Sequence, residues 1–281
     1  MKIITTVSRM SAQASAFKKK GLRVGFVPTM GALHEGHLSL IRQARRDNDI
    51  VVVSIFVNPT QFGPGEDLKK YPRDMQKDAA VCKNNGVDII FHPGAKEMYP
   101  EGFTTCITVE GLSRRLCGKF RPGHFKGVAT VVAKLFNIVM PDNAYFGQKD
   151  AQQSVIIRRM VKDLNMQVRV SVLPTVRQPG GLALSSRNKY LSGSEEERAL
   201  VLKAALDKAG VLVKKGAVDT KKIINAIRPV VRRGAPSKID YIEIVDPCSL
   251  MPVRKIKDEA LLAMAVWIGK TRLIDNRILK S

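Results

Sequence analysis

The chain has 281 residues, 44% hydrophobic and 26% charged, a composition that excludes disorder and suits one large domain or two modest ones. Lys and Arg outnumber Asp and Glu 47 to 25, and the +22 net charge is spread along the chain rather than gathered into a basic arm or tail. The longest apolar run, Ala260 to Ile268, is far short of the ~20 residues of a membrane span, and Met1 to Met10 lacks the apolar stretch of a secretory signal. A cytoplasmic protein is expected, with neither membrane nor nucleic acid as partner.

Short β-branched runs alternate with amphipathic stretches. Arg23–Pro28 and Ile50–Val57 have the composition of buried strands, and His37 to Asn48 between them has helical periodicity. That is a βαβ unit, which demands a parallel pair. Arg73 to Asn85 is expected as a helix ended by Gly86, before a strand at Val87–Phe91. A helical stripe runs from Gly127 to Met140 and stops at Pro141. Ala144–Phe146 and Val168–Leu173 are expected strands on either side of a helix from Asp150 to Asn165. The pattern specifies an α/β fold, a Rossmann-like doubly wound parallel sheet.

After about residue 185 the texture changes. Ser194 before Glu195, Glu196 and Glu197 is the expected helix start, and helices continue to about Arg233. Strands are expected at Lys238–Val245 and Ala260–Ile268. These make a smaller α+β C-terminal domain, residues 185–281, expected to close as a lid on residues 1–184. Gly180-Gly181 is the candidate hinge. The four cysteines, Cys82, Cys106, Cys117 and Cys248, form no C-x-x-C pair and are expected as buried thiols.

Two common phosphate motifs are missing. No G-x-G-x-x-G follows the first strand, and Gly269-Lys270-Thr271 lacks the leading glycine of a P-loop because Met264 stands there. The candidate device is Met30-Gly31-Ala32-Leu33-His34-Glu35-Gly36-His37, between a strand and a helix. The free N–H groups and dipole of a helix start favour an anion there. His34 and His37, three apart, add two donors on one side, and Gly31 and Gly36 let a ring or a phosphate approach the backbone. A metal pair or two capping histidines are the alternatives. A second element, Gly147-Gln148-Lys149-Asp150, again ends a strand; Lys149 supplies a point charge, Asp150 a helix cap, and Gln153 follows one turn later. The third is Leu184-Ser185-Ser186-Arg187, two hydroxyls and a guanidinium after a glycine pair.

The H-x-G-H pattern resembles the nucleotidylyl transferase superfamily, which includes the class I aminoacyl-tRNA synthetases, and Leu184–Asn188 looks like its K-M-S-K-S loop. Phe56–Gly63 (FVNPTQFG), Tyr71-Pro72-Arg73, Arg121–Phe125 (RPGHF), Tyr145–Gln153 (YFGQKDAQQ) and Gly181–Asn188 (GLALSSRN) resemble the pantothenate synthetase family, in its order and over most of residues 23–190. The resemblance implies ATP-dependent joining of pantoate and β-alanine through a pantoyl adenylate, with Mg²⁺ and a homodimer. It implies that Met30 to His37, Gly147 to Asp150, Val176 and Leu184 to Arg187 line the ATP site. Gln61 then contacts pantoate and β-alanine, Gln153 contacts pantoate, and His37, His34, Lys149 and Arg187 are catalytic. Asn143 and Lys126 depart from the family pattern and are expected at the surface. Lys77 interrupts the family's acidic patch and leaves Asp78 as a candidate near magnesium, with no metal ligand assigned. An RNA-binding fragment is disfavoured by the dispersed charge and the 6% aromatic content. An adenylyltransferase would release no AMP.

Overall fold

Parallel strands covered on both faces need near-continuous apolar runs, and the computed structural model, which describes residues 1–281, has five of them where the sequence places them. In chain order the elements are β1 (Lys2–Ile4), α1 (Val7–Lys19), β2 (Val24–Thr29), α2 (Glu35–Asp47), β3 (Ile50–Ile55) and α3 (Met75–Asn84). Next come β4 (Ile89–Phe91), α4 (Ala95–Met98), α5 (Cys117–Phe120), α6 (His124–Val139), β5 (Asn143–Gly147), α7 (Ala151–Asp163) and β6 (Arg169–Leu173). The C-terminal part adds α8 (Gly193–Ala199), α9 (Val201–Lys214), α10 (Thr220–Arg233), β7 (Lys238–Val245), β8 (Glu259–Ile268) and β9 (Thr271–Lys280). Of these, β1, α1, α4, α5 and β9 are not among the elements expected from the sequence.

The first six strands form one parallel sheet in the order β1-β4-β3-β2-β5-β6. Strand order reverses at β2, where a doubly wound sheet opens its binding crevice. The pairing shows how. β2 and β3 pair over six positions, but β2 and β5 pair only at Gly25–Asn143 and Phe26–Ala144. Beyond those pairs the two strands splay, and the gap between their carboxyl ends is the cleft described below.

β7, β8 and β9 form an antiparallel sheet. Nearly every residue of β8 is buried, because both faces of this sheet are covered. Ile242, Leu262 and Met264 pack with α9 and α10, whereas Tyr241, Leu261 and Ala263 join Phe125, Val128 and Phe146 in the main core. The apolar core therefore runs across the expected boundary near residue 185.

Three local expectations are corrected. The cap of α8 is Ser192, whose hydroxyl accepts from Glu195 N while Glu195 returns a bond to Ser192 N, so the capping box starts two residues earlier than Ser194. Cys82 and Cys117 are buried, but Cys106 and Cys248 are exposed. Asn143 is half-buried rather than superficial: its amide donates to Asn48 Oδ1 at 2.7 Å, within a buried network that includes Tyr145. Gly25 makes room for that network, since a Cβ there would lie 2.4 Å from Asn48 Nδ2.

Candidate active site

The turn after β2 is built to present two imidazoles. His34 is the N-cap of α2, and His37 is its third residue. His34 Nδ1 accepts from Gly36 N at 3.1 Å, and His37 Nδ1 accepts from His34 N at 3.3 Å. This is a capping box made of two histidines. It fixes the tautomer of both rings. With Nδ1 accepting, the neutral ring carries its hydrogen on Nε2, and neither Nε2 has a protein partner. Their centroids are 4.1 Å apart. Gly36 is required by this packing, since a Cβ would lie 2.8 Å from His34 Cε1. The flat ring that approaches the glycine is the protein's own.

Burial, then the Lys149 charge, lowers the His34 pKa to about 4; burial, then His34 itself, lowers that of His37 to about 3. Both rings are neutral at pH 7 and act as hydrogen-bond donors, not cations.

His34, His37, Met30 and Gly36 line a cavity of about 230 Å³ at the splayed ends of β2 and β5. Gln61, Gly147, Lys149, Asp150, Gln153, Val176, Leu184, Ser185, Ser186 and Arg187 complete it. Lys149 Nζ lies 3.6 Å from Asp150 Oδ1. Burial pushes the Asp150 carboxyl up, but Lys149, Arg187 and His124 outweigh it and hold the group below the usual range. Asp150 occupies the N-cap position of α7 without making a side-chain capping bond. Arg187 is held bidentate by Asp67, at 2.8 and 2.9 Å. A second cavity of about 490 Å³, walled on one side by β7, β8 and β9, shares Lys149, Asp150, Gln153, Ser185 and Arg187 with the first. The cleft thus offers two amides, two neutral imidazoles and two cations on segments that follow four strands, β2, β3, β5 and β6, a set suited to an extended polyanion and a small polar partner.

Comparison with known proteins decides the family. Residues 2–278 match the family model for pantoate-beta-alanine ligase. The chain belongs to the pantoate-beta-alanine ligase family. It is 56% identical to a pantothenate synthetase of Sulfurihydrogenibium sp. (strain YO3AOP1) over 277 residues, 98% of this chain and 99% of that one. It is 54% identical to one of Thermotoga petrophila, covering 99% and 100%. A crystal structure of pantothenate synthetase from Thermus thermophilus superposes with a TM-score of 0.93 at 47% identity, covering 99% of each chain. A pantoate-beta-alanine ligase from Francisella tularensis, complexed with Beta-gamma ATP and β-alanine, gives 0.81 at 38% identity, covering 99% of this chain and 97% of that one.

Within this ligase fold some candidate residues stand outside the cavity. Glu35 pairs with Arg42 on the exposed face of α2. Gln148 turns toward β9 and donates to Asn276. Gly31, Ala32 and Leu33 do not line the cavity; Gly31 N donates to Thr29 Oγ1, and the next two backbone N–H groups are fixed from behind by Asp78. That carboxylate is 3% exposed and accepts from Ala32 N and Leu33 N, each at 2.8 Å. Gly31 at φ +84° and Ala32 at φ +52° are both left-handed, so the turn is strained and Asp78 secures it. Each Asp78 oxygen accepts one N–H of the turn, so the carboxylate serves there as a backbone anchor.

Several residues that shape the ligase cleft were visible only as parts of motifs. Asn58, 1% exposed, donates to Gln61 Oε1 and to Gly127 O, both at 3.2 Å. This aims the Gln61 amide N–H groups toward Met30 Sδ at 3.0 Å, on the cavity wall. His124 Nδ1 contacts Gln61 O at 2.8 Å, and its Nε2 faces Arg121 at 3.0 Å. Arg121 is in turn forked onto Glu66. The Gln153 amide makes no hydrogen bond within the protein. N-P-T-Q and R-P-G-H-F carried these positions, but neither motif states that one residue orients another.

The imidazoles make stability depend on pH. Burial, then Arg121, lowers His124 to about 4 as well. As pH falls below 6.5 the unfolded chain binds protons on these three histidines that the folded chain refuses, so stability drops toward pH 4. Above pH 5 the carboxylates titrate little, so the loss between pH 6.5 and 5 belongs to the histidines. Thermal unfolding across that interval should show a falling midpoint, and His124→Asn should flatten the slope. An unchanged slope in that variant would remove His124 from the account.

Proposed function

We propose how this cleft carries out the ATP-dependent condensation of pantoate with β-alanine that its family performs. In the first step a pantoate carboxylate oxygen attacks the α-phosphorus, the bond to the bridging oxygen breaks, and pyrophosphate leaves with the electron pair. In the second the unprotonated β-alanine amine attacks the acyl carbon, the acyl–oxygen bond breaks, and AMP leaves as the nitrogen gives up a proton. A carboxylate is already ionised at neutral pH, so the first step needs alignment and charge neutralisation rather than a base.

The observation that carries this reading is the pair of free Nε2–H groups beside Lys149. In this reading His34 and His37 donate to the reacting phosphate, while Lys149, Ser185, Ser186 and Arg187 neutralise the β- and γ-phosphates. A triphosphate competes with Asp67 for Arg187. Backbone around Gly147, Val176 and Leu184 forms the nucleotide wall. Gln61 and Gln153 hold pantoate through neutral amides that leave its carboxylate unpaired and nucleophilic, and Gln61 also meets β-alanine. Residues 185–281 wall the cleft, so that water is kept from the acyl adenylate.

No three His, Cys, Asp or Glu side chains come together, and the Asp78 oxygens accept from the turn, so this reading assigns no protein side chain to Mg²⁺. The ion belongs to this reading only as a companion of the triphosphate, bound by phosphate and water oxygens. No helix is long and apolar enough to cross a membrane. A homodimer and a cytoplasmic location complete the reading; sedimentation and cell fractionation test them.

The decisive assay follows AMP release from ATP with each substrate omitted in turn. AMP should need both pantoate and β-alanine, and pantoate alone should support ATP–pyrophosphate exchange. AMP release without pantoate would overturn the reading. Gln61→Ala should weaken pantoate binding by ~1–3 kcal/mol, because substrate groups lose their partner, and leave binding of a non-hydrolysable ATP analogue nearly unchanged. Equal losses of both ligands in calorimetry would move Gln61 out of the pantoate site.

A further inference from the structure

β9 contains two adjacent buried polar residues where a strand of this sheet should be apolar. Asn276 is 6% exposed and Asp275 2%. Each makes three side-chain hydrogen bonds. The Asn276 amide nitrogen donates to Gln148 O and Lys149 O, both at 2.9 Å, and its Oδ1 accepts from Gln148 Nε2 at 3.0 Å. Asp275 forks onto Arg177 at 2.7 and 2.9 Å and accepts from Asn276 N at 2.8 Å. Arg177 also donates to Gly181 O at 3.0 Å, within the turn that precedes Ser185. Two neighbouring side chains of the C-terminal sheet thus hold two of the three segments that carry the cleft's phosphate-facing groups, Asn276 directly and Asp275 through Arg177.

From this geometry we infer that Asn276 is a positioning residue for Lys149, and that the C-terminal sheet acts on the reaction through it. The inference rests on the reading of Lys149 as a phosphate ligand. The short 3₁₀ turn Gln148–Asp150 has few partners of its own for its carbonyls. Asn276 satisfies two of them with one rigid amide and so sets where the Lys149 Cα stands. The lysine stem is flexible, and its ammonium is a useful point charge only if its root is fixed. A misplacement of about 1 Å at such a group costs up to ~10²-fold in rate.

The test is a double-mutant cycle on the full-length enzyme with steady-state kinetics and thermal unfolding. Asn276→Ala should stay folded and lose turnover by up to ~10²-fold, with little change in KM for pantoate. In a Lys149→Ala background the same substitution should cost almost nothing more, because the group it positions is gone. A merely structural residue would give losses that multiply, and that result overturns the proposal, as does near-normal turnover in folded Asn276→Ala. Asn276→Ser keeps one donor and serves if the alanine variant unfolds; it should show a smaller loss with the same failure to multiply. Full turnover in Lys149→Ala alone would instead bring down the reading of the site, a result separate from the behaviour of Asn276.

Discussion

His37→Ala should reduce turnover by about 10²–10³-fold, the loss typical of a single preorganised donor aimed at developing charge. ATP affinity should change far less. In the proposed ground state the triphosphate would have Lys149, Arg187 and two serines to satisfy it, whereas charge shifts toward the departing pyrophosphate only during reaction. A donor whose bond strengthens at that moment lowers the barrier without tightening the resting complex. His37 suits that role because it is neutral, its pKa lowered to about 3 chiefly by burial, and because its hydrogen is fixed on Nε2. The substitution also removes an acceptor from His34 N. His37→Gln separates the two effects, since glutamine at the third helical position restores a capping box without an imidazole. Both variants should be slow, and the glutamine variant should recover thermal stability. Near-normal turnover in either folded variant would take His37 out of the chemistry.

How much of this was legible depended on which signal each residue sends. The strands at Val24, Ile50 and Asn143 were legible because buried parallel strands are apolar without interruption, and the H-x-G-H turn because its spacing sits between strand and helix. β9 was not legible. Its Asp275 and Asn276 look like loop residues, and only the tertiary partners Arg177 and Lys149 explain polar groups inside a sheet. α1 escaped because it buries only Met10 and Ala14, too few for a stripe. β1, three residues at a sheet edge, is too short to show a period. The α8 start was ambiguous by pattern, since Ser192 and Ser194 each stand three residues before a glutamate. At the site, the identity of the donors was readable but their tautomers were not. Those follow from the backbone N–H groups of Gly36 and His34. Asp78 shows the opposite case: the family's acidic patch after Tyr71-Pro72-Arg73 suggests a place near a metal, and only burial beneath the turn reveals a backbone anchor.

Gly127→Ala should lower both stability and pantoate affinity, although alanine in a helix ordinarily gains ~1 kcal/mol over glycine. A Cβ at this position of α6 would lie 2.4 Å from Thr60 O, 2.6 Å from Thr60 C and 2.7 Å from Gln61 Cα. All three neighbours are backbone, so no side chain can rotate away. Overpacking of this kind costs ~1–3 kcal/mol, which meets or exceeds the helical gain. The strain then falls on the turn Pro59–Gln61, whose own ties are the Asn58 bonds to Gln61 Oε1 and Gly127 O and the His124 bond to Gln61 O. If the turn retreats, the Gln61 amide moves with it, and pantoate loses its donor while the nucleotide side, on β5 and the Ser185 loop, is untouched. Thermal unfolding should show a lower midpoint, and calorimetry should show weaker pantoate binding beside an unchanged ATP analogue. A more stable protein with normal pantoate affinity would mean that α6 is not pressed against the turn, and that Gln61 owes its place to Asn58 alone.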